Sequence, residues 1–233
     1  LSDVLAIIPA FNEAASLPAL LQELARQCPS WEVLVINDGS TDRTGEVGRA
    51  ARAKVIDLPF NSGVAAAEQT GFFYALEEGY SFVVRLDGDG QHSPAEAARL
   101  LAAVRNGGAD VAIGSRFLGA PGFRSSWIRR MGIAWLSFLV TLLARRKVTD
   151  PTSGLRAFRR DVVSFLAQVY PGDYPEPESI LLLARRGFRI VEVPVAMQGR
   201  QGGYSSIGKG GALYYVLKVT FALLVENLRR RGA

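Results

Sequence analysis

The sequence predicts an α/β fold: a mostly parallel central sheet sandwiched by helices, within a single domain spanning residues 1–233. Three observations predict it. Apolar runs of four to six residues recur through the first half, stretches of helical periodicity separate them, and polar clusters stand where the runs end.

Taken in order, "VLAIIP" (4–9) is a buried strand, and 14–27 is a helix with Leu17, Leu20, Leu21 and Leu24 on one face. "EVLVIND" (32–38) is the second strand; the helix after it has Ser40 or Thr41 as its N-cap. "KVIDL" (54–58) is a third strand, followed by a helix over about 64–78. "SFVVRLD" (81–87) is the fourth strand, "SPAE" (93–96) opens a helix, and "ADVAIGSR" (109–116) is the fifth strand. Beyond 116 the rhythm changes. A Gly- and Arg-rich loop (117–126) leads to a long apolar helix (about 127–146), a loop "VTDPTSGLRAF", and a short helix near 160–168. A proline-rich link (170–178) enters another helix, "FRIVEVPVAM" (188–197) is a strand, and 198–211 reads as a mobile glycine-rich loop.

Composition narrows the function. The chain carries +5 net charge, 48% hydrophobic and 21% charged residues, and one cysteine, Cys28, which precludes an internal disulfide and suits a reducing compartment. Between Arg116 and Arg160 there are ten Lys or Arg against one acid, Asp150, which points to an anionic partner. Two apolar stretches, 131–144 and 212–231, are too short or too interrupted to span a bilayer, which takes about 20 apolar residues; both suit core or interfacial helices with basic flanks. No signal-peptide pattern precedes the first strand, so the expected location is cytoplasmic, peripheral to the inner membrane face.

In open parallel sheets, ligands bind beyond the carboxyl ends of the strands. Here those ends read "PAFNE", "NDGSTD", "DGDGQH" and "GSR". Neither G-x-G-x-x-G nor a P-loop occurs, so no glycine-rich amide cradle for phosphate is written into the first turn. Carboxylates stand there instead, and they tolerate a diphosphate only with a divalent cation between. Asp87 and Asp89, with Gly88 and Gly90 permitting tight turns, form such a site, to which Gln91 adds an amide oxygen. Hard oxygen ligands select Mg²⁺ or Mn²⁺. His92 reads as a hydrogen bonder at the start of the next helix and is not assigned to the metal. Nucleic acid is excluded as a partner: aromatics do not interleave with the arginines, and the strand-end acids repel a polyanion.

With "IIPAFNE", "VINDGSTDRT", "DGDGQH" and "SGLRAF" in this order, the chain resembles glycosyltransferase family 2 over almost its whole length. Within it, "GSRF", "DPTSGLRAFRR", Glu178 and "EVPV…R…G…S" make it most similar to the dolichol-phosphate mannose synthase and polyprenyl-phosphate glycosyltransferase branch. The resemblance implies a GT-A fold, with a nucleotide-binding half (1–116) and an acceptor half (117–233) ending in an interfacial helix. It also implies an inverting, metal-dependent transfer from a UDP-, GDP- or dTDP-sugar to undecaprenyl or dolichyl phosphate, at the membrane surface, with a small membrane protein as a conceivable partner. Pro9, Ala10, Asn12, Glu13 and Asp38 would line the base and ribose pocket, with Asp87 and Gly88 near ribose and diphosphate. Asp89 and Gln91 would bind the metal. Arg116, Arg129 or Arg130, and Ser205 would hold the acceptor phosphate, and Arg200 would close over the donor; Asp89, Arg116, Glu178 and Arg200 are the implied catalytic group.

Two features depart from that branch. Ser206 stands where a lysine is usual, and "DYPEPE" places Asp173, Glu176 and Glu178 at a helix start. The alternative is therefore a hydroxyl acceptor on a lipid-linked or cell-surface polysaccharide, with Glu176 or Glu178 as general base.

Overall fold

The structure is a computed structural model, and it describes residues 2–118, 127–196 and 211–229. One seven-stranded sheet organises the chain, in the order β3-β2-β1-β4-β6-β5-β7. Its left part is parallel: β1 (Val4–Ala10) is flanked by β2 (Glu32–Asn37) and β4 (Phe82–Arg85), with β3 (Lys54–Asp57) outside β2. The helices between them are α1 (Leu17–Gln27), α2 (Thr44–Ala50) and α3 (Val64–Glu77). Because β1, β2 and β4 run the same way, their carboxyl ends, and the polar clusters that follow, lie along one edge.

The right part corrects the sequence reading. "RAF" reads in sequence as the end of a loop, yet with Arg159 it forms β6 (Arg156–Arg159), wedged antiparallel between β4 and β5 (Val111–Ser115). Four residues ending in arginine carry too little apolar alternation to reveal a strand; pairing on both sides is what makes it one. In this register Arg156 stands opposite Arg85 and Arg159 opposite Phe82. Arg156 thus lies at the end of the sheet that holds Asp87, and Arg159 at the other. β7 (Ile190–Pro194) adds parallel to β5 at the edge. Around these pack α4 (Pro94–Arg105), α5 (Trp127–Ala144), α6 (Arg160–Val169), α7 (Pro175–Arg186) and α8 (Gly211–Arg229).

Strand alternation divides the core. Leu5 and Ile7 of β1 face Phe72 of α3 and the α5–α8 side, whereas Val4, Ala6 and Ile8 face the leucines of α1 and Leu100 of α4. Both faces are buried, so β1 reads as a continuous apolar run. Phe72 meets Phe158 and Tyr170 edge-on, at 5.6 and 5.2 Å between centroids. Helix starts follow local chemistry: Ser93 caps α4 by accepting from the Ala95 N–H. At α2 the N-cap position falls to Arg43, and Asp42, not Ser40 or Thr41, accepts from the Thr44 N–H.

Candidate active site

The ends of β1 and β2 are laced together by the residues that the motifs supply. Asn12 sits in the left-handed region at φ 55°, which an asparagine tolerates better than most side chains. Its Oδ1 accepts from the Thr41 and Asp42 N–H groups at 2.8 and 3.3 Å, and its own N–H donates to Ser40 Oγ. The Glu13 N–H donates to Thr44 Oγ1 at 2.9 Å, and Ser16 Oγ donates to the Glu13 carboxylate at 2.6 Å while lying 2.9 Å from the Gly88 carbonyl. Glu13 is thereby tied to the turn after β4. Pro9 and Ala10, the last residues of β1, pair with Ile36 and Asn37.

Asp38 is buried and accepts from the Ser62 and Gly63 N–H groups at 2.7 and 2.9 Å. Those amides precede α3, so one carboxylate ties the end of β2 to the start of that helix. Behind β4 the turn "DGDGQH" presents two acids of different character. Asp89 is buried and its Oδ1 accepts from the Gln91 N–H at 3.0 Å; Gly90 takes φ +71°, which lets the turn close. Asp87, about a third exposed (35%), lies 3.0 Å from Arg85 Nη2 and 3.6 Å from His92 Nε2. Burial raises its carboxyl, but the Arg85 charge, with His92 and Arg116 beside it, outweighs that and holds it below the usual carboxylate range.

The resemblance supplied no role for the cluster beneath Asp87. Arg85 points inward from β4, with Nε 2.6 Å from Glu68 Oε1 on α3 and Nη2 3.4 Å from Glu176 Oε1 on α7. Tyr170 donates to the other Glu68 oxygen. Burial pushes the Glu68 carboxyl up to about 7 against the pull of Arg85. Arg156, also buried, donates to the Ser153, Pro151 and Glu176 carbonyls and to Ser179 Oγ. The sequence carried one signal for this cluster: Arg85 and Glu68 each interrupt an apolar run.

Arg116 is the best-braced member of the basic segment. Its Nε and Nη2 each lie 2.6 Å from an oxygen of the fully buried Asp150, and Nη2 also donates to Thr152 Oγ1. Glu192 fixes the loop by accepting from the Thr149 and Asp150 N–H groups.

The structure therefore brings together Asn12, Glu13, Asp38, Asp87, Gly88, Asp89 and Gln91, with Arg116 near enough to act on Asp87. It does not bring Glu178 with them: Glu178 accepts from the Tyr174 N–H and lines a cavity of about 590 Å³ between α7 and α8, with Asp173, Lys218 and Glu226. Burial first, then Asp173 and Glu226, raise its carboxyl. Glu176 is the acid that reaches Arg85. Arg130 is exposed on α5; Arg200, Ser205 and the Arg129 side chain lie outside the described residues.

The oxygens at the β4 turn fit a hard divalent cation: a carboxylate at Asp89, an amide oxygen at Gln91 and the Asp87 carboxylate close by. Among the described residues no three His, Cys, Asp or Glu side chains form a preformed cage. One or two carboxylates completed by phosphate oxygens is the usual way Mg²⁺ is held.

Comparison with known proteins places the chain in a family. The chain is 36% identical to an undecaprenyl-phosphate mannosyltransferase of Micrococcus luteus, covering 98% of each chain. It is 34% identical to a polyprenol monophosphomannose synthase of Mycolicibacterium smegmatis, covering 92% of this chain and 84% of that one. Among solved structures, the Mycobacterium tuberculosis glucosyl-3-phosphoglycerate synthase, determined with Mn²⁺, uridine diphosphate and phosphoglyceric acid, superposes with a TM-score of 0.69 at 18% identity, covering 96% of this chain and 78% of that one. That likeness is one of fold, the GT-A fold. The family model for Glycosyl transferase family 2 matches residues 5–166. The chain is a glycosyltransferase and belongs to glycosyltransferase family 2.

Proposed function

We propose that this enzyme transfers a sugar, with inversion, from a nucleotide-sugar donor to a polyprenyl phosphate, using Mg²⁺ or Mn²⁺ at a membrane surface. The observation that carries the reading is the row of acids at the ends of β2 and β4, Asp38, Asp87 and Asp89, in a chain whose relatives are polyprenyl-phosphate mannosyltransferases.

Residues 1–116 hold the donor. Pro9, Ala10, Asn12, Glu13 and Asp38 shape the base and ribose pocket, and Asp87 and Gly88 lie against ribose and diphosphate. Asp89 and Gln91 hold the cation, which when bound neutralises charge growing on the diphosphate. An acceptor phosphate oxygen attacks the anomeric carbon; that C–O bond forms as the bond to the diphosphate breaks, and the nucleoside diphosphate leaves. The acceptor is already an anion, so no residue need remove a proton from it. Residues 117–233 hold the acceptor. Arg116 adds fixed positive charge beside Asp87, and Arg129 or Arg130, Arg200 and Ser205 are the groups the family likeness offers for phosphate.

Membrane contact is supported by two apolar stripes. Trp127, Met131, Trp135, Phe138 and Leu142 on α5, and Tyr214, Leu217, Phe221, Leu224 and Leu228 on α8, are exposed at helical spacing. The two helices are joined by a bond from Trp135 Nε1 to Thr220 Oγ1 at 3.0 Å. Arg130 and, beyond the helix end, Arg145, Arg146 and Lys147 flank α5 with positive charge. No helix among the described residues is long and apolar enough to cross a membrane.

The test is incubation of radiolabelled nucleotide sugars with polyprenyl phosphate and Mn²⁺. A chloroform-soluble product that is stable to mild base and cleaved by mild acid is expected; its absence would favour the other acceptor.

A further inference from the structure

We infer that Arg85 is a positioning residue for the reaction, acting through Asp87; this rests on the reading that Asp87 contacts the donor. Arg85 is buried to 2% exposure at the last position of β4, two residues before Asp87, where a strand in a packed sheet would ordinarily place an apolar side chain. Its guanidinium is held from behind by Glu68, itself held by Tyr170, and from the acceptor side by Glu176. Only Asp87, among the acids that Arg85 touches, is substantially open to solvent. A buried charge without a partner is costly, and Glu68, 2.6 Å from Arg85 Nε, supplies the opposite charge. The outcome is a carboxylate held in place beside the donor site by the guanidinium nitrogen Nη2, on an arginine that the buried cluster keeps from moving.

Gly154, in "SGLRAF", belongs to the same device. A Cβ there would lie 1.6 Å from Arg85 Nη1 and 2.7 Å from Asp87 Oδ2. The acceptor-half loop therefore passes directly over the guanidinium, and its missing side chain is the clearance that lets Arg85 reach Asp87. Glu176 contacts the same nitrogen as Asp87, so the start of α7 and the donor carboxylate share one anchor.

The experiment compares donor kcat/KM and thermal midpoint for Asp87→Asn, Arg85→Met with Glu68→Gln, Gly154→Ala, Arg85→Lys, and the triple variant Asp87→Asn/Arg85→Met/Glu68→Gln. Removing both Arg85 and Glu68 charges avoids stranding either one. If Arg85 acts through Asp87, the Arg85→Met/Glu68→Gln pair loses at least about tenfold in kcat/KM, and adding it to Asp87→Asn costs no more than about twofold further. Gly154→Ala, which keeps every charge but crowds both the guanidinium and the Asp87 carboxylate, should show a comparable loss; Arg85→Lys, which keeps the buried charge and removes only the guanidinium, should lose as much and decides the matter should the pair fail to fold. Folded variants with parental kcat/KM, or losses that simply multiply with that of Asp87→Asn, overturn the inference. Parental activity in Asp87→Asn overturns instead the reading of Asp87 as a donor contact.

Discussion

The two halves of the molecule use charge in different ways. In the first half, acids stand at the ends of β2 and β4, and each is satisfied by a few short-range bonds: Asp38 by two backbone amides, Asp89 by the Gln91 amide, Asp87 by Arg85. In the basic segment from Arg116 to Arg160 the described charges divide: Arg116 and Arg156 are buried, whereas Arg130, Arg145, Arg146, Lys147 and Arg160 are exposed. Arg116 is sealed against Asp150, Arg156 against backbone carbonyls, and Arg159 and Arg160 sit at the far end of the sheet, on Asp110, Asp161 and the Tyr80 and Leu76 carbonyls. The difference shows that one basic segment can supply both framework and surface. Its buried members, Arg116 and Arg156, build the frame of the site, and its exposed ones from Arg130 to Lys147 border the apolar stripe of α5.

The sharpest way to break this contrast is Asp150→Ala. It strands the Arg116 charge in the interior, and a loss of about 3–5 kcal/mol in denaturant unfolding is expected; a loss under about 1 kcal/mol would show that Arg116 is not framework. Asn12→Ala probes the other half. It leaves the Thr41 and Asp42 N–H groups without their shared acceptor and puts a less tolerant residue at φ 55°, for an expected cost of about 1–2 kcal/mol by the same measurement.

Replacing Trp127 and Phe221 together by serine sharpens the surface side. Stability should move by no more than about 0.5 kcal/mol per site, since both side chains are largely exposed. Binding to anionic phospholipid vesicles should weaken at least about tenfold, as two apolar contacts are lost. Vesicle binding that is unchanged would mean the stripes meet something else.

Glu178→Gln is expected to do least. The raised Glu178 carboxyl would, as a general base, set an acid limb in the rate profile, with activity lost as pH falls through that raised value. Transfer to a phosphate acceptor predicts that the limb stays where it is in the variant. Asp87 adds none near neutrality: its folded value is depressed, so its charge is present above the ordinary carboxylate range and is lost only as pH falls through the lower one.

How much the sequence revealed follows the same divide. The parallel strands and the acids at their ends were legible, because a buried strand is a short apolar run and its polar terminus breaks the pattern at once. Asn12, Glu13, Asp38 and the Asp87–Gln91 turn lie where the motifs put them. β6 was not legible, because "RAFR" becomes a strand only by pairing with β4 and β5. Nor was the inward turn of Arg156, because a guanidinium's surroundings are set by the Ser153, Pro151 and Glu176 carbonyls, which only the fold brings to it. Glu176 and Glu178 illustrate the limit. They are two residues apart on one helix, and only the helix orientation decides that the first reaches Arg85 while the second faces α8.

Catalysis as proposed requires that the Asp89 turn hold a divalent ion that in turn holds the donor's diphosphate. Calorimetric titration of a panel of UDP-, GDP- and dTDP-sugars, with Mn²⁺ and again with chelator, tests this on the parent chain and on Asp89→Ala. At least one donor should bind only with Mn²⁺, and Asp89→Ala should weaken it by about 10- to 100-fold, the worth of one charge-assisted contact. Equal donor affinity in chelator, or parental affinity in Asp89→Ala, would contradict it.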